Sequence, residues 1–183
     1  MRGRHTLAVV IGALCLLLAG CGGSAEPQPL PRPTASLSPS PSATPPVMPA
    51  SAKNQSKAGA IAFARHYVEL INFAQATGHL DELRAVEDSA CQSCEKAEAY
   101  VADLYQSGGS IRGGAFKIKG ISTVKNPATG GWLVELGVEF GPQVVDHPTP
   151  QEDEHPKGGR LPLNVQVAWR QGEWRVLEWT RGA

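Results

Sequence analysis

Cys91 and Cys94 are separated by only two residues, a spacing that suits a small disulfide ring or thiol exchange. Closing so short a loop is worth about 2 kcal/mol before strain is subtracted. A helix N-terminus favours redox activity by lowering the pKa of a thiol, but redox motifs of this kind directly follow a strand. The segment before Cys91 has instead the pattern of a short helix and loop. The sequence therefore predicts a structural disulfide, with thiol–disulfide exchange as the alternative. Zinc is disfavoured because a second ligand pair of matching spacing is absent.

A loop near the C-terminus gathers acidic and histidine side chains of the kinds that bind cations. They are Asp146, His147, Glu152, Asp153, Glu154 and His155. Three prolines interrupt this segment, and neither an EF-hand pattern nor a His-Glu-x-x-His spacing is present. We therefore expect a solvated hairpin loop, with no metal site and no cofactor.

Seven tyrosine and tryptophan residues suit either core packing or the lining of a ligand pocket. They are Tyr67, Tyr100, Tyr105, Trp132, Trp169, Trp174 and Trp179. His66 lies beside the apolar face of the first predicted helix, but acid–base catalysis would require a partner and a shifted pKa. Since no nucleophile or phosphate-loop motif is present either, no catalytic residue is predicted.

The first residues of the chain have the order of an export signal. Arg2, Arg4 and His5 precede an apolar stretch, Leu7 to Leu18, that is too short to span a bilayer of about 30 Å. The following Leu18-Ala19-Gly20-Cys21 resembles a lipobox. That resemblance implies cleavage before Cys21 and acylation of its sulfur and new amino terminus. We therefore expect a signal peptide over 1–20 and a lipidated Cys21 on the extracytoplasmic face of the cell membrane, because attachment through two or more acyl chains is stable.

The net charge of the chain limits the classes of partner that we expect. Without residues 1–20 the chain has 15 basic and 17 acidic residues, a net charge near −2. Nucleic-acid binding, which requires a clustered basic surface, is not expected.

Residues 21–50 hold nine of the fifteen prolines, between Pro27 and Pro49. This composition predicts a disordered tether with polyproline II character.

Residues 51–183 have the size of one domain. Helical periodicity predicts a first helix over 52–76, with Ser51 as N-cap and Gly78 as its stop. Short helical patterns follow over 80–86 and from Cys91 or Cys94 to Gly108-Gly109. The period then changes to two, which predicts strands at 116–121, 132–140, 163–169 and 174–179, with a polar loop over 141–160. The fold class is therefore α+β, with N-terminal helices packed on a curved antiparallel sheet of about four strands.

This order of elements resembles the nuclear transport factor 2-like cone fold. The segment from Lys57 through Tyr67, Ala76-Thr77-Gly78 and the pair Cys91-Gln92-Ser93-Cys94 also resemble an uncharacterised family of actinobacterial lipoproteins. The resemblance covers about residues 48–180. It implies a pocket between helices and sheet but no activity, because this fold carries both enzymes and noncatalytic modules.

Three functional hypotheses follow, of which the third is the thiol–disulfide protein that would act through Cys91 and Cys94. The first is a noncatalytic envelope module that binds an apolar ligand or an envelope protein. The second is an envelope enzyme that uses the pocket. A closed apolar pocket with one Asp or Glu beside a Tyr or His would favour the enzyme, and a solid aromatic core would disfavour it.

Overall fold

The computed structural model describes residues 44–148, 154 and 156–182. The predicted signal peptide, Cys21 and most of the predicted tether lie outside these residues. The helices are a 3-10 turn at Ala50–Lys53, α1 at Lys57–Thr77, α2 at Asp81–Arg84 and α3 at Gln92–Gln106. The strands are β1 Ser110–Gly113, β2 Phe116–Asn126, β3 Gly131–Phe140, β4 Gln143–Asp146, β5 Gly159–Arg170 and β6 Glu173–Arg181. Within the described ranges, no helix has both the length and the apolar character needed to cross a membrane.

Four strands form the main antiparallel sheet in the order β2-β3-β5-β6. Alternate side chains of the two central strands are buried against the helices. They are Val134, Leu136 and Val138 of β3, and Leu163, Val165 and Val167 of β5. Register shifts between Ile118 and Gly120 and between Gln166 and Val167 mark bulges, which bend and twist a sheet. The predicted α+β class, with helices on a curved sheet of four strands, is confirmed.

Helix α1 supplies the buried face that the helical periodicity predicted. Phe63, Tyr67 and Leu70 are buried, whereas Arg65 and Glu69 are exposed. The helix ends at Gly78, whose φ of 75° is left-handed and whose backbone N–H donates to the Ala74 carbonyl. This is the stop that the sequence predicted.

The predicted start of the first helix was wrong. Ser51 lies within the 3-10 turn, and the chain is extended again at Asn54 before α1 begins. Ser56 is the N-cap, because its Oγ accepts a hydrogen bond from the Gly59 N–H at 3.0 Å. The break is held by the Trp174 indole, which donates to the Asn54 carbonyl at 3.2 Å. The extended backbone before α1 is thus stabilised by a contact between residues 120 positions apart in the sequence, which local patterns do not show.

The outer edge of β6 is covered by a short segment after α2. Glu87 forms a parallel bridge with Val176. The Val176 N–H donates to the Val86 carbonyl at 3.0 Å, and the Asp88 N–H donates to the Val176 carbonyl at 2.8 Å. This pairing fixes the backbone at Glu87 and positions its side chain in the core.

A second sheet, β1 paired with β4, was missed by sequence analysis. The predicted polar loop over 141–160 was therefore wrong at both ends, since β4 lies inside it and β5 begins at Gly159. Each strand of the pair has only four residues, too few to show alternation. Buried Ile111 lies opposite buried Val145, so the pairing is visible only once the chain has folded.

Candidate functional site

A cleft of about 750 Å³ opens between the helices and the inner side of the strands. Its walls come from α1, α3, the small sheet and the ends of β5 and β6. Most of its lining is apolar. These side chains are Ile71, Ala74, Leu80, Leu83, Ala97, Val101, Ile111, Phe116, Phe140, Val145, Leu161, Leu163 and Trp179. Small-molecule sites typically have roughly 300–1,000 Å³ and a mainly apolar lining.

Two polar side chains lie deep in this cleft. The Tyr67 hydroxyl donates a hydrogen bond to Oε1 of Glu87 at 2.5 Å. Tyr67 is 1% exposed and Glu87 is 9% exposed, and both line the cleft. A carboxyl group in such surroundings tends to stay protonated, because burial disfavours its charged form.

The pKa of Glu87 is raised to about 8, chiefly by burial and also by the neighbouring Glu98 carboxylate. The Tyr67 hydrogen bond opposes this rise only in part. Glu98 raises the pKa of Glu87 first through hydrogen bonding between the two carboxyls and second through its charge. Burial also raises the pKa of Tyr67, and the charge of Glu87 adds to it. At neutral pH the pair is therefore uncharged.

Glu98 has the opposite behaviour. Burial alone would raise its pKa, but the Glu87 carboxyl and the Arg84 guanidinium together lower it. Nε of Arg84 donates to Oε2 of Glu98 at 2.7 Å. Of the two adjacent carboxyls, Glu98 therefore carries the negative charge and Glu87 keeps the proton.

Cys91 and Cys94 form a disulfide at the N-terminus of α3. The cysteines are 3% and 2% exposed. Sγ of Cys94 lies 3.7 Å from the Tyr67 hydroxyl, so the disulfide packs behind the Tyr67–Glu87 pair. Thiol exchange requires an accessible sulfur, and this burial favours a structural role.

The aromatic residues divide between cleft and core. Tyr67, Tyr100 and Trp179 line the cleft, and the remaining four lie elsewhere. Trp169 and Trp174, for example, pack edge to face with ring centroids 5.2 Å apart. Of the four residues outside the cleft, Trp174 is buried, and it also stacks on Phe63 of α1 with ring centroids 6.2 Å apart.

Three of the acidic and histidine residues near the C-terminus, Asp146, His147 and Glu154, are described by the structure. Asp146 lies in β4 and accepts hydrogen bonds from Ser110 and Arg112. Nε2 of His147 lies 3.5 Å from Oε1 of Glu154. No group of three potential metal ligands occurs among the residues that the structure describes. Glu152, Asp153 and His155 lie outside those residues.

His66 is buried and does not line the cleft. Its pKa is lowered by burial, against the weaker opposing effect of Glu69, whose Oε2 lies 3.7 Å from Nδ1. An imidazole that is neutral and away from the cleft has no evident catalytic role.

Glu87 is the residue that sequence analysis missed. It is 20 residues from Tyr67 and belongs to no motif. The only local signal is an acidic pair, Glu87-Asp88, between the apolar Val86 and the turn that leads to Cys91. This signal is too weak to identify a buried carboxyl.

Comparison with known proteins identifies a family. The model of DUF6318, a family of unknown function, matches residues 33–180. Comparison with curated proteins gives no match. The prediction of an uncharacterised family is confirmed, whereas its description as actinobacterial lipoproteins stays a prediction.

Several solved structures are similar to the chain. The intermembrane space region of chloroplast protein ARC6 has a TM-score of 0.49 and 19% identity, over 66% of this chain and 95% of that one. An uncharacterized protein with a cystatin-like fold from Caulobacter vibrioides has a TM-score of 0.45 and 11% identity, over 68% of this chain and 91% of that one. A protein designated Rd1NTF2_05, with five substitutions, has a TM-score of 0.38 and 17% identity, over 66% of this chain and 96% of that one. Similarities this distant carry no information about activity.

Proposed function

Because the chain belongs to DUF6318, a family of unknown function, we propose its function from the cleft. The protein is a lipid-anchored module of the cell envelope that binds an apolar small molecule without transforming it. The observation that carries this proposal is the cleft of about 750 Å³ with its mainly apolar lining. Filling it with a ligand removes apolar surface from water, which contributes roughly 25 cal/mol per Å².

The polar base of the cleft is compatible with an apolar ligand. An ionised carboxylate there would lose its hydration when a ligand entered, at a large cost in free energy. Glu87 avoids that cost because its pKa of about 8 keeps it protonated at neutral pH. Its hydrogen bond with Tyr67 also satisfies the hydroxyl group without water.

Replacing Ala97 with Trp is expected to abolish binding of an apolar probe. Ala97 lines the cleft from α3, and an indole at this position would occupy space that a ligand needs. The matched control is Ala99→Trp, on the exposed side of the same helix. The measurement is photocrosslinking of a diazirine-bearing decanol to the full chain, with labelled residues mapped by mass spectrometry. Equal labelling of both variants at cleft residues would contradict the proposal.

The anchor is proposed from Cys21 and the apolar stretch that precedes it. Cys21→Ala is expected to prevent acylation and release the protein from the membrane fraction. Cys15→Ala, a change of the same type within the apolar stretch, should leave attachment intact. Membrane fractionation measures both, and the mass of the N-terminal peptide identifies the modification. Membrane association of Cys21→Ala that survives a salt wash would rule out this anchor.

An acid–base enzyme is the second candidate, because the cleft does hold a Glu beside a Tyr, the arrangement that favours catalysis. With its pKa of about 8, Glu87 could donate a proton at neutral pH. Against this role, the Tyr67 hydroxyl already donates to Glu87, and both side chains are buried. Ligand recovered from the protein after incubation separates the candidates: an unchanged mass supports binding, and a changed mass supports catalysis.

A protein partner and thiol–disulfide exchange both stay predictions. An envelope protein as partner would dock on the surface rather than fill the cleft. Thiol–disulfide exchange would require a reduction potential near those of exchange proteins, whereas structural disulfides lie below about −300 mV. The burial of both cysteines favours the structural case.

A further inference from the structure

The mouth of the cleft carries cationic side chains from three different elements. Lys96 lies on α3, Lys157 precedes β5, and Arg181 ends β6, and all three are exposed. Among the described residues, none of these cations has a carboxylate partner within ion-pair distance. An anionic group at this position would not have to displace an ion pair of the described residues.

The acidic residues that line the cleft do not cancel this charge. Glu154 lies against His147, with 3.5 Å between Oε1 and Nε2. Glu87 keeps its proton at neutral pH. Among the described residues that line the cleft, three cationic side chains thus face, besides the protonated Glu87, one acidic side chain, Glu154, so cationic side chains predominate there.

Aromatic side chains lie between the apolar interior and this charged mouth. Tyr100 is 47% exposed and shares the cleft-facing side of α3 with Lys96, while Trp179 is half-buried on β6 beside Arg181. Tyr and Trp suit a boundary between apolar and wet surroundings, because one end of each ring system is polar.

We propose that the ligand is an amphiphile with an apolar tail and an anionic head group, such as a fatty-acyl carboxylate. The tail lies among the apolar side chains between the helices and the strands, and the head group meets Lys96, Lys157 and Arg181 at the mouth. This inference rests on the proposed apolar-ligand function and adds the sign and position of the ligand's charge.

The test is competition against photolabelling by diazirine-bearing decanoate. The full chain is held in phosphatidylcholine vesicles, which carry no net charge, and free competitor concentrations are measured. The competitors are decanoate, decyl phosphate and decanol, which have the same tail with a carboxylate, a phosphate or a neutral head. Octanoate and dodecanoate test the tail, since each buried methylene should tighten binding by up to roughly fourfold.

The variant to compare is Lys96→Gln/Lys157→Gln/Arg181→Gln. Each exposed ion pair is worth at most a factor of about five. We therefore expect roughly tenfold weaker decanoate binding for the triple change, with decanol binding within about twofold of the wild type. The control, Lys53→Gln/Arg65→Gln/Lys117→Gln, removes the same charge from exposed positions outside the cleft and should leave decanoate binding unchanged.

The outcomes distinguish this inference from the proposed function. Selective loss of decanoate or decyl phosphate binding in the cleft variant supports the inference. The competitor that binds the wild type more tightly identifies the head group. If decanol binds in the cleft as tightly as decanoate and the cleft variant weakens neither, the inference is overturned while the apolar site stands. If no competitor reduces labelling of cleft residues, both the inference and the proposed function fail.

Discussion

Glu87→Gln is expected to raise the free energy of unfolding at pH 9 by on the order of 2–4 kcal/mol, and to change it little at pH 5. The amide stays neutral at every pH, and its oxygen can still accept the hydrogen bond from Tyr67. The variant therefore keeps the geometry of the site and removes only the titration. This expected change in the free energy of unfolding is smaller than the full pKa shift of Glu87 would give, because Glu87 and Glu98 titrate as a coupled pair.

The sign follows from the raised pKa. Glu87 has a folded-state pKa of about 8 against an ordinary value of 4.5. Its contribution to stability is fully present below pH 4.5, where the carboxyl is protonated in both states. It is lost as the pH rises through 8, because the folded protein must then bury a charge.

The charged and titratable groups around Glu87 set the useful pH range. Tyr67 has a raised pKa, so it loses its proton only above pH 10. Glu98, paired with Arg84, has a lowered pKa, so its contribution is lost only as the pH falls below 4.5. His66, with its lowered pKa, adds a rise in stability with pH up to about 6.5, but this effect is common to wild type and variant. Between pH 5 and 9, the difference in the free energy of unfolding between the wild type and Glu87→Gln therefore measures the ionisation of Glu87.

The measurement is urea unfolding of the full chain at several pH values, followed by tryptophan fluorescence. The control is Glu95→Gln, an exposed carboxylate near the start of α3, whose stability should stay parallel to that of the wild type. If the Glu87→Gln curve also runs parallel to the wild type, the Glu87 carboxyl is not held protonated by the fold.

Gly131→Ala is expected to lower the free energy of unfolding by about 3 kcal/mol or more. A Cβ atom at this position would lie 2.0 Å from the Val167 carbonyl oxygen and 2.9 Å from Cα of Ala168. Both are backbone atoms of the neighbouring β5, so a change of rotamer cannot relieve the contact. Strands β3 and β5, the two inner strands of the main sheet, would have to separate at the end where β3 begins.

The matched control for this prediction is Gly120→Ala, the same substitution in the same sheet. A Cβ at Gly120 meets nothing within 4 Å. We expect a change within about 1 kcal/mol, towards stabilisation, because alanine reduces the freedom of the unfolded chain. Urea unfolding of both variants measures the contrast. Equal stabilities would show that the close contact at Gly131 relaxes at little cost.

Local sequence patterns were sufficient to predict most of the elements. The apolar spacing of Phe63, Tyr67 and Leu70 predicted α1, and the alternation from Trp132 to Phe140 predicted β3. Such patterns are informative because an element that buries one face must repeat apolar residues with its own period. The same reasoning failed for β1 and β4, which are shorter than the repeats that would reveal them.

The amino-acid order alone determined the class of the fold and the Cys91–Cys94 pairing, because both depend on residues close together in the chain. Only the tertiary structure decided that Glu87 is a neutral, buried carboxyl in an apolar cleft. That property depends on Tyr67 from α1, Glu98 from α3 and the pairing of Val86–Asp88 with β6. The pKa of a carboxyl is set by the solvent it loses and the charges it meets, and here folding brings both from distant parts of the chain.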